Sequence, residues 1–149
     1  MVLTLPRPQS PMLTLPGYSV SSKLYEGRKT VVYRGVRDRD GVSIIIKVLR
    51  SDFPSQRDIA HAQHEFRVLR HLAESGVSGI INGSEQLKYG VGLATILEDI
   101  DGVTLKDLLS YGRISCEQFL QIAIQIADAL TDIHAADVIH KDIKPHNII

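Results

Sequence analysis

The chain has 149 residues, of which 44% are apolar and 23% charged, so its composition is that of a globular domain and excludes a long disordered, collagen-like or coiled-coil protein. Its 17 basic and 17 acidic residues balance, which argues against nucleic acid as the main partner. It holds one cysteine, Cys116, and no apolar run as long as the ~18 residues of a membrane span, so we expect a cytoplasmic protein without one.

Proline dominates the start of the chain. Four prolines within residues 1–16 each fix a backbone angle and remove a hydrogen-bond donor, so this segment is predicted to be an extended leader. From residue 18 onward, β-branched and aromatic residues interrupted by turn residues predict three antiparallel strands, YSVSSKLY, TVVYRGVR and GVSIIIKVL. The dipeptide Asp40-Gly41 marks a tight turn between the last two.

A helix and a second hairpin are predicted next. In the sequence SQRDIAHAQHEFRVLRHLAE, apolar residues recur at steps of three and four, which is the spacing of one helical face. Ser55 and Asp58 can cap its first turn, and Gly76 ends it. Two apolar runs, around residues 80–87 and 93–97, then flank the turn sequence YGVG and predict a hairpin.

The remainder is predicted to be helical. The sequences TLKDLL, from Thr104, and SCEQ, from Ser115, each begin with a capping pattern. In the second helix one apolar stripe predicts packing on a single side, and its members are Phe119, Ile122, Ile126, Leu130 and Ile133. Five strands with one helix after the third, followed by helices, predict an α+β fold with two lobes.

Polar groups suited to phosphoryl transfer are concentrated in the sequence HKDIKPHN at 140–147. Pro145 prevents a helix there and keeps Lys144 extended. The carboxylate of Asp142 can orient a hydroxyl, Lys144 can offset phosphate charge, and the amide oxygen of Asn147 can ligate magnesium.

This segment resembles the catalytic loop H-R-D-L-x-x-x-N of the eukaryotic-type (Ser/Thr) protein kinases, with lysine and isoleucine in place of arginine and leucine. Four further segments resemble other parts of that family, in the family's order. LYEGRKTVVYRG at 24–35 resembles the glycine-rich loop, and IIIK at 44–47 resembles the strand that carries the family's lysine. EFRVLRHL from Glu65 resembles the helix that supplies the ion partner of this lysine, and LEDIDG at 97–102 resembles the hinge. The resemblance covers residues 18–149. The motif sequences LYEGRKTVVYRG and HKDIKPHNI are most similar to those of kinase domains at the front of bacterial multidomain sensor kinases.

The resemblance implies the organisation of the chain. Residues 17–97 correspond to the N-lobe, a five-stranded antiparallel sheet with one helix, residues 98–103 to the hinge, and residues 104–149 to the start of the helical C-lobe. The D-F-G, activation and A-P-E segments of the family are not among these 149 residues. We therefore expect a truncated C-lobe and little phosphate transfer by the isolated chain.

The resemblance also implies ATP and Mg²⁺ as cofactors and a set of residues that bind them. Lys47 would hold the α- and β-phosphates, positioned by Glu65, and Leu97 would be the gatekeeper. The other ATP-binding positions implied lie on the glycine-rich loop, the strand after it and the hinge: Leu24, Gly27, Val32, Glu98 and Ile100. Asp142 and Lys144 would be catalytic and Asn147 a magnesium ligand, with a protein substrate and other sensor or signalling domains of the parent chain as partners.

Several positions depart from the family pattern. Of G-x-G-x-x-G only Gly27 is present, with Tyr25 and Thr30 at the outer positions, and Ile45 replaces the alanine of V-A-I-K. These changes predict altered nucleotide affinity rather than loss of a charge needed for transfer. Lys141 lacks the planar fork of arginine, so control through a phosphorylated activation loop is less expected.

Other hypotheses remain. A nucleotide-binding pseudokinase or scaffolding module without transfer activity fits the degraded glycine loop, and a pure interaction module would use the helical stripe. The histidine pairs His61/His64 and His140/His146 suggest zinc, although no third ligand accompanies them. HEFR at 64–67 resembles the start of a histidine-kinase phosphoacceptor box but lacks the proline that follows it.

Overall fold

A computed structural model describes residues 13–50 and 54–149. In chain order the elements are β1 (Tyr18–Glu26), β2 (Thr30–Arg37), β3 (Val42–Leu49), α1 (Gln56–Glu74), β4 (Gly83–Tyr89), β5 (Gly92–Glu98), α2 (Leu105–Tyr111), α3 (Cys116–Ala135) and a single 3₁₀ turn (Pro145–Asn147). The strands form one antiparallel sheet in the order β1-β2-β3-β5-β4. The predicted α+β fold and its order of elements are confirmed.

The strand β3 shows how the sheet separates its two faces. Ile44, Ile46 and Val48 are buried on one face, so the intervening Ile45 and Lys47 must lie on the other. Gly41 makes the turn into β3 with a φ of 70°, a left-handed conformation that favours glycine. The hairpin of β2 and β3 is therefore as predicted. The start of β4 differs from the prediction, since this strand begins at Gly83, later than the apolar run around residue 80 suggested.

The hydrophobic core lies on the face of Ile46. Although β1 and β4 are opposite edges of the sheet, the hydroxyl of Tyr18 donates a hydrogen bond to the carboxylate of Glu85, so the sheet curls around this core. Ile46 and Ile96 have no exposed surface. Burying one such side chain stabilises the fold by about 1.5–3 kcal/mol.

The packed part of the chain begins earlier than the sequence indicated. Residues 1–12, most of the predicted leader, lie outside the described residues. Leu13 and Leu15, at its end, are only 7% and 3% exposed and belong to the core cluster. Pro16 restricts the backbone next to Leu15 without preventing the two leucine side chains from joining the core cluster.

Helix α1 lies on the opposite face, the one that carries Lys47. Its first turn is capped as predicted, since Ser55 Oγ accepts a hydrogen bond from the backbone of Asp58 at 3.1 Å. Its centre is held to the sheet by Gln86, whose side-chain amide donates to the Ala62 carbonyl at 3.1 Å. We call this surface of the sheet the α1 face.

Helix α3 is only partly buried. Ser115 and Gln118 form the predicted capping box. Of the predicted stripe, Ile133 is 4% exposed but Phe119 is 57% exposed, so the side that was predicted to pack is covered only near the end of the helix. The covered part is the end of α3, which the end of α1 and the loop after α1 contact.

Two contacts join the end of α1 and the loop after it to the end of α3. His71 Nε2 lies 3.1 Å from the carbonyl oxygen of Ala136, and the Ser78 hydroxyl lies 3.4 Å from the carboxylate of Asp132. Together they form what we call the α1–α3 attachment. In the part of the chain that the structure describes, no helix has the length and apolar character needed to cross a membrane.

Candidate active site

Lys47 and Glu65 form an ion pair between the sheet and α1. The burial of Ile46 and Val48 directs Lys47 to the α1 face, where its Nζ lies 2.5 Å from Glu65 Oε1. Their side chains are 31% and 43% exposed, so the pair contributes at most about 1 kcal/mol to stability. Its effect is to hold an ammonium group at a defined place on the sheet.

Strand register brings other predicted residues onto the same face. Val32 lies opposite Lys47, and Leu97 lies opposite Ile45. Side chains of directly opposed residues share a face in an antiparallel sheet. Val32, Lys47 and Leu97 are therefore on one surface, although they come from three strands.

A cavity of about 280 Å³ lies between the α1 face and α1. Its lining residues include Thr30, Lys47, Leu49, Asp58, Glu65 and Thr95. The volume is near the lower end of the range for small-molecule sites. Of the predicted ATP-binding residues it contains Lys47 and Glu65, whereas Leu24, Val32, the hinge and the catalytic loop do not line it.

The turn between β1 and β2 is closed around Gly27. The Gly27 amide donates to the Thr30 carbonyl at 2.8 Å, and Arg50 Nη1 donates to the Gly27 carbonyl at 3.0 Å. A Cβ at position 27 would lie 2.7 Å from the hydroxyl oxygen of Tyr25, so a side chain there would displace the ring of Tyr25 from its present position. Leu24, at an irregularity in the β1–β2 pairing, is 48% exposed.

A second bond ties this turn to α1. Lys29 Nζ lies 2.8 Å from Asp58 Oδ1, in the first turn of the helix. Hydrogen bonds from Lys29 and from Ser55 lower the pKa of the Asp58 carboxyl from 3.8 to about 2. The carboxylate therefore stays ionised at all ordinary pH values.

The backbone of the predicted hinge carries both hydrogen-bond acceptors and donors. The amide of Glu98 donates to the Asn82 carbonyl at 3.0 Å, so its carbonyl oxygen is the group it could offer. The carbonyl of Ile100 accepts from the Gly102 amide at 2.7 Å, which leaves the Ile100 amide as a donor. An acceptor and a donor in this order could bind one edge of a purine.

Sequence reasoning missed a clamp on the hinge. The side chain of Asp99 is 7% exposed and lies 2.8 Å from Arg34 Nε and 2.7 Å from the Ser43 hydroxyl. Burial tends to raise the pKa of the Asp99 carboxyl, but the hydrogen bonds from Ser43 and Arg34 outweigh it and lower the pKa. A polar pair, Arg34 and Ser43, within two apolar strands was the available signal.

The three predicted residues of the catalytic loop are in direct contact. Lys144 Nζ lies 2.8 Å from Asp142 Oδ2, and Asn147 Nδ2 donates to Asp142 Oδ2 at 2.9 Å. These hydrogen bonds, that of Lys144 first, hold the pKa of the Asp142 carboxyl below its usual range. The loop bends at Lys141, which has a φ of 60°, and the 3₁₀ turn starts at Pro145.

The end of this loop reaches the hinge. The amide of Leu105, at the start of α2, donates to the Ile148 carbonyl at 2.8 Å. A Cβ at Gly102 would lie 2.7 Å from Ile149 Cγ2, so the hinge and the residues after Asn147 pack together closely. The catalytic loop is thus anchored beside the hinge.

The predicted site residues fall into two groups, each held together by its own contacts. One is the Lys47–Glu65 pair, and the other is the trio of Asp142, Lys144 and Asn147. Among the described residues, no hydrogen bond joins one group to the other. In the same ranges, 13–50 and 54–149, no three His, Cys, Asp or Glu side chains are grouped as a metal site would require.

The model of the family described as "Protein kinase domain" matches residues 18–149. The chain belongs to the protein kinase family. It is 30% identical over 142 residues to serine/threonine-protein kinase PknA of Mycobacterium tuberculosis, with 92% of this chain and 33% of PknA covered.

Other kinases show similar identity. Over 136 residues the chain is 31% identical to casein kinase I homolog 2 of Saccharomyces cerevisiae, with 89% of this chain and 23% of that kinase covered. A probable serine/threonine-protein kinase of Clostridium acetobutylicum is 26% identical, with 89% of this chain and 20% of that protein covered. The chain therefore spans a third or less of the length of these curated relatives.

Proposed function

We propose that this chain contributes the nucleotide-binding lobe and catalytic loop of a Ser/Thr protein kinase, which transfers the γ-phosphate of ATP to a protein hydroxyl. The observation that carries the proposal is the Lys47–Glu65 ion pair at 2.5 Å, between the strand and the helix for which the family resemblance implies it. Residues 18–149 match the family over nearly the whole chain, which supports it independently.

The residues present fit ATP and magnesium. Lys47 places a cation on the α1 face, and the hinge has a carbonyl at Glu98 and an amide at Ile100 for the base. Because Asn147 uses its Nδ2 on Asp142, its amide oxygen is left for a hard cation, which prefers oxygen ligands. When bound, MgATP supplies the phosphoryl group and its charge neutralisation.

Asp142 and Lys144 would act on the acceptor. With its pKa lowered, the Asp142 carboxylate is ionised near neutral pH, so it accepts a hydrogen bond from the substrate hydroxyl and orients the oxygen. A carboxylate of low pKa is a weak base, which suits orientation better than early removal of the proton. Lys144, 2.8 Å away, would offset negative charge on the transferred group.

Nucleotide binding is tested with the Lys47→Met variant. Loss of the ammonium group should weaken MgATP binding at least ~10-fold, measured by calorimetry or displacement of a fluorescent nucleotide. Lys88→Met, which removes an exposed lysine from the same sheet, is the matched control and should bind like the wild type. If the wild-type chain does not bind MgATP, the proposed function is wrong.

Transfer is tested with the Asp142→Asn variant of the full-length protein. Incorporation of labelled phosphate into casein should fall by at least ~100-fold while MgATP affinity stays unchanged, because the carboxylate acts on the acceptor. Asp128→Asn, on the exposed surface of α3, should keep full activity. Binding without any transfer by the wild type would instead support the nucleotide-binding module.

A further inference from the structure

Tyr25 stands on the surface that carries the predicted ATP-binding residues. The register places Tyr25 opposite Val32, which in turn lies opposite Lys47. Directly opposed residues share a face, so the aromatic ring belongs to the α1 face and to the same cross-strand row as the ammonium group of Lys47. In the family's pattern this position is a glycine, which has no side chain to offer.

The ring lies over Gly27 and presents a free hydroxyl there. The Tyr25 oxygen is 2.7 Å from the point where a Cβ on Gly27 would be, and the side chain is 55% exposed. Within residues 13–50 and 54–149, no hydrogen bond uses this hydroxyl. A phenol with one unused O–H beside a glycine turn is available as a donor to an incoming group.

Two lysines lie near this row, each paired with a carboxylate. Lys47 lies two strands away in the row and pairs with Glu65, and Lys29 extends from the same turn and pairs with Asp58. An O–H donor to an anionic oxygen makes a charge-assisted hydrogen bond, which is stronger than one between neutral groups. A phosphate oxygen of a bound nucleotide is the anion that this surface would meet if the proposed function is right.

We propose that the hydroxyl of Tyr25 donates a hydrogen bond to a phosphate of the bound nucleotide. This contact takes the place of the approach of backbone amides to phosphate that the family's first glycine allows and that this chain lacks. This inference rests on the proposed function. It makes Tyr25 a phosphate-binding residue, with no part in contacts to the base.

The test compares ATP with adenosine, which shares the base and sugar but has no phosphate. Tyr25→Phe removes one oxygen and keeps the ring over Gly27, so MgATP affinity should fall about 3- to 10-fold while adenosine affinity stays unchanged. Tyr111→Phe removes an equivalent hydroxyl from a side chain that is 82% exposed and should change neither affinity. Both affinities are measured by calorimetry on variants whose circular dichroism matches that of the wild type.

Three results would overturn the proposal. If Tyr25→Phe binds MgATP as tightly as the wild type, the hydroxyl makes no phosphate contact. If Tyr25→Gly binds MgATP more tightly than the wild type, the ring obstructs the site instead of serving it. If the wild-type chain binds neither ligand, the proposed function is wrong together with this inference. The first two outcomes contradict only the role of Tyr25 and leave the proposed function intact.

Discussion

At the hinge, Asp99 accepts hydrogen bonds from Arg34 and Ser43, which belong to two different strands. The carboxylate lies between Glu98 and Ile100, whose backbone groups are the proposed contacts for the base. Because the pKa of Asp99 is lowered, its ion pair is fully formed above the pKa of an ordinary aspartate. The pair is lost only as the pH falls below that value and through the lowered pKa of Asp99. Near neutral pH the clamp therefore holds the hinge backbone in place.

Asp99→Asn should weaken binding of MgATP and of adenosine by the same factor, about 3-fold. The variant removes the charge that fixes the hinge, and both ligands share the base. Calorimetry with the two ligands measures it, and Asp101→Asn, an exposed neighbour, is the control. Loss of ATP affinity alone would show that the clamp acts on the phosphates and contradict this role.

Among the elements, the β1–β2 turn and α1 are coupled by charge. Lys29 and Asp58 meet at 2.8 Å, and Asp58 also belongs to the cap of the helix. Since its pKa is lowered from 3.8 to about 2, the interaction stabilises the fold above pH ~3.8 and is lost as the pH falls toward 2. The position of the helix that carries Glu65 thus depends in part on a residue of the turn.

Asp58→Asn should lower the melting temperature at pH 7, and the difference from the wild type should shrink steadily between pH 4 and pH 2. The reason is that protonated Asp58 and asparagine are then both neutral. Thermal unfolding followed by circular dichroism over this pH range measures it. Lys29→Met, which leaves the Ser55 cap intact, should show a smaller loss with the same pH trend, and a difference that persists at pH 2 would contradict the charge mechanism.

For the molecule as a whole, the core includes residues ahead of the matched family segment. The match begins at residue 18, yet Leu13 and Leu15 are buried among Ile44 and Ile96. A kinase lobe prepared from residue 18 onward would lose both leucines. It should be less stable than the full chain and more prone to aggregate.

Leu15→Ala should lower the free energy of unfolding by about 2–4 kcal/mol, because it leaves a cavity in the core. Denaturant titration measures the change. Val91→Ala, in the β4–β5 turn and 59% exposed, should change it by no more than ~0.5 kcal/mol. A loss of similar size in both variants would mean that the segment before β1 does not support the core.

The local pattern of the sequence predicted most of the fold. Alternation in β3, the turn at Gly41 and the caps at Ser55 and Ser115 depend on residues close together in the chain. The pairing of Lys47 with Glu65 followed from family resemblance, and the structure confirms the contact. Its role in binding ATP remains a prediction.

Features that depend on distant residues could not be predicted in this way. Arg34, Ser43 and Asp99 meet only because strand register brings three separate segments together. The burial of Leu15 depends on residues of β3 and β5, about 30 to 80 positions further along the chain, which no local pattern encodes. The stripe on α3 shows the reverse, since an apolar periodicity tells which side can be buried but not how much of it is covered.

The α1–α3 attachment has a consequence for motion. The sheet and the helical segment are joined through the chain at residues 98–103 and again where His71 and Ser78 meet the end of α3. Any relative movement that separates the end of α1 from the end of α3 would first have to break the contacts of His71 and Ser78.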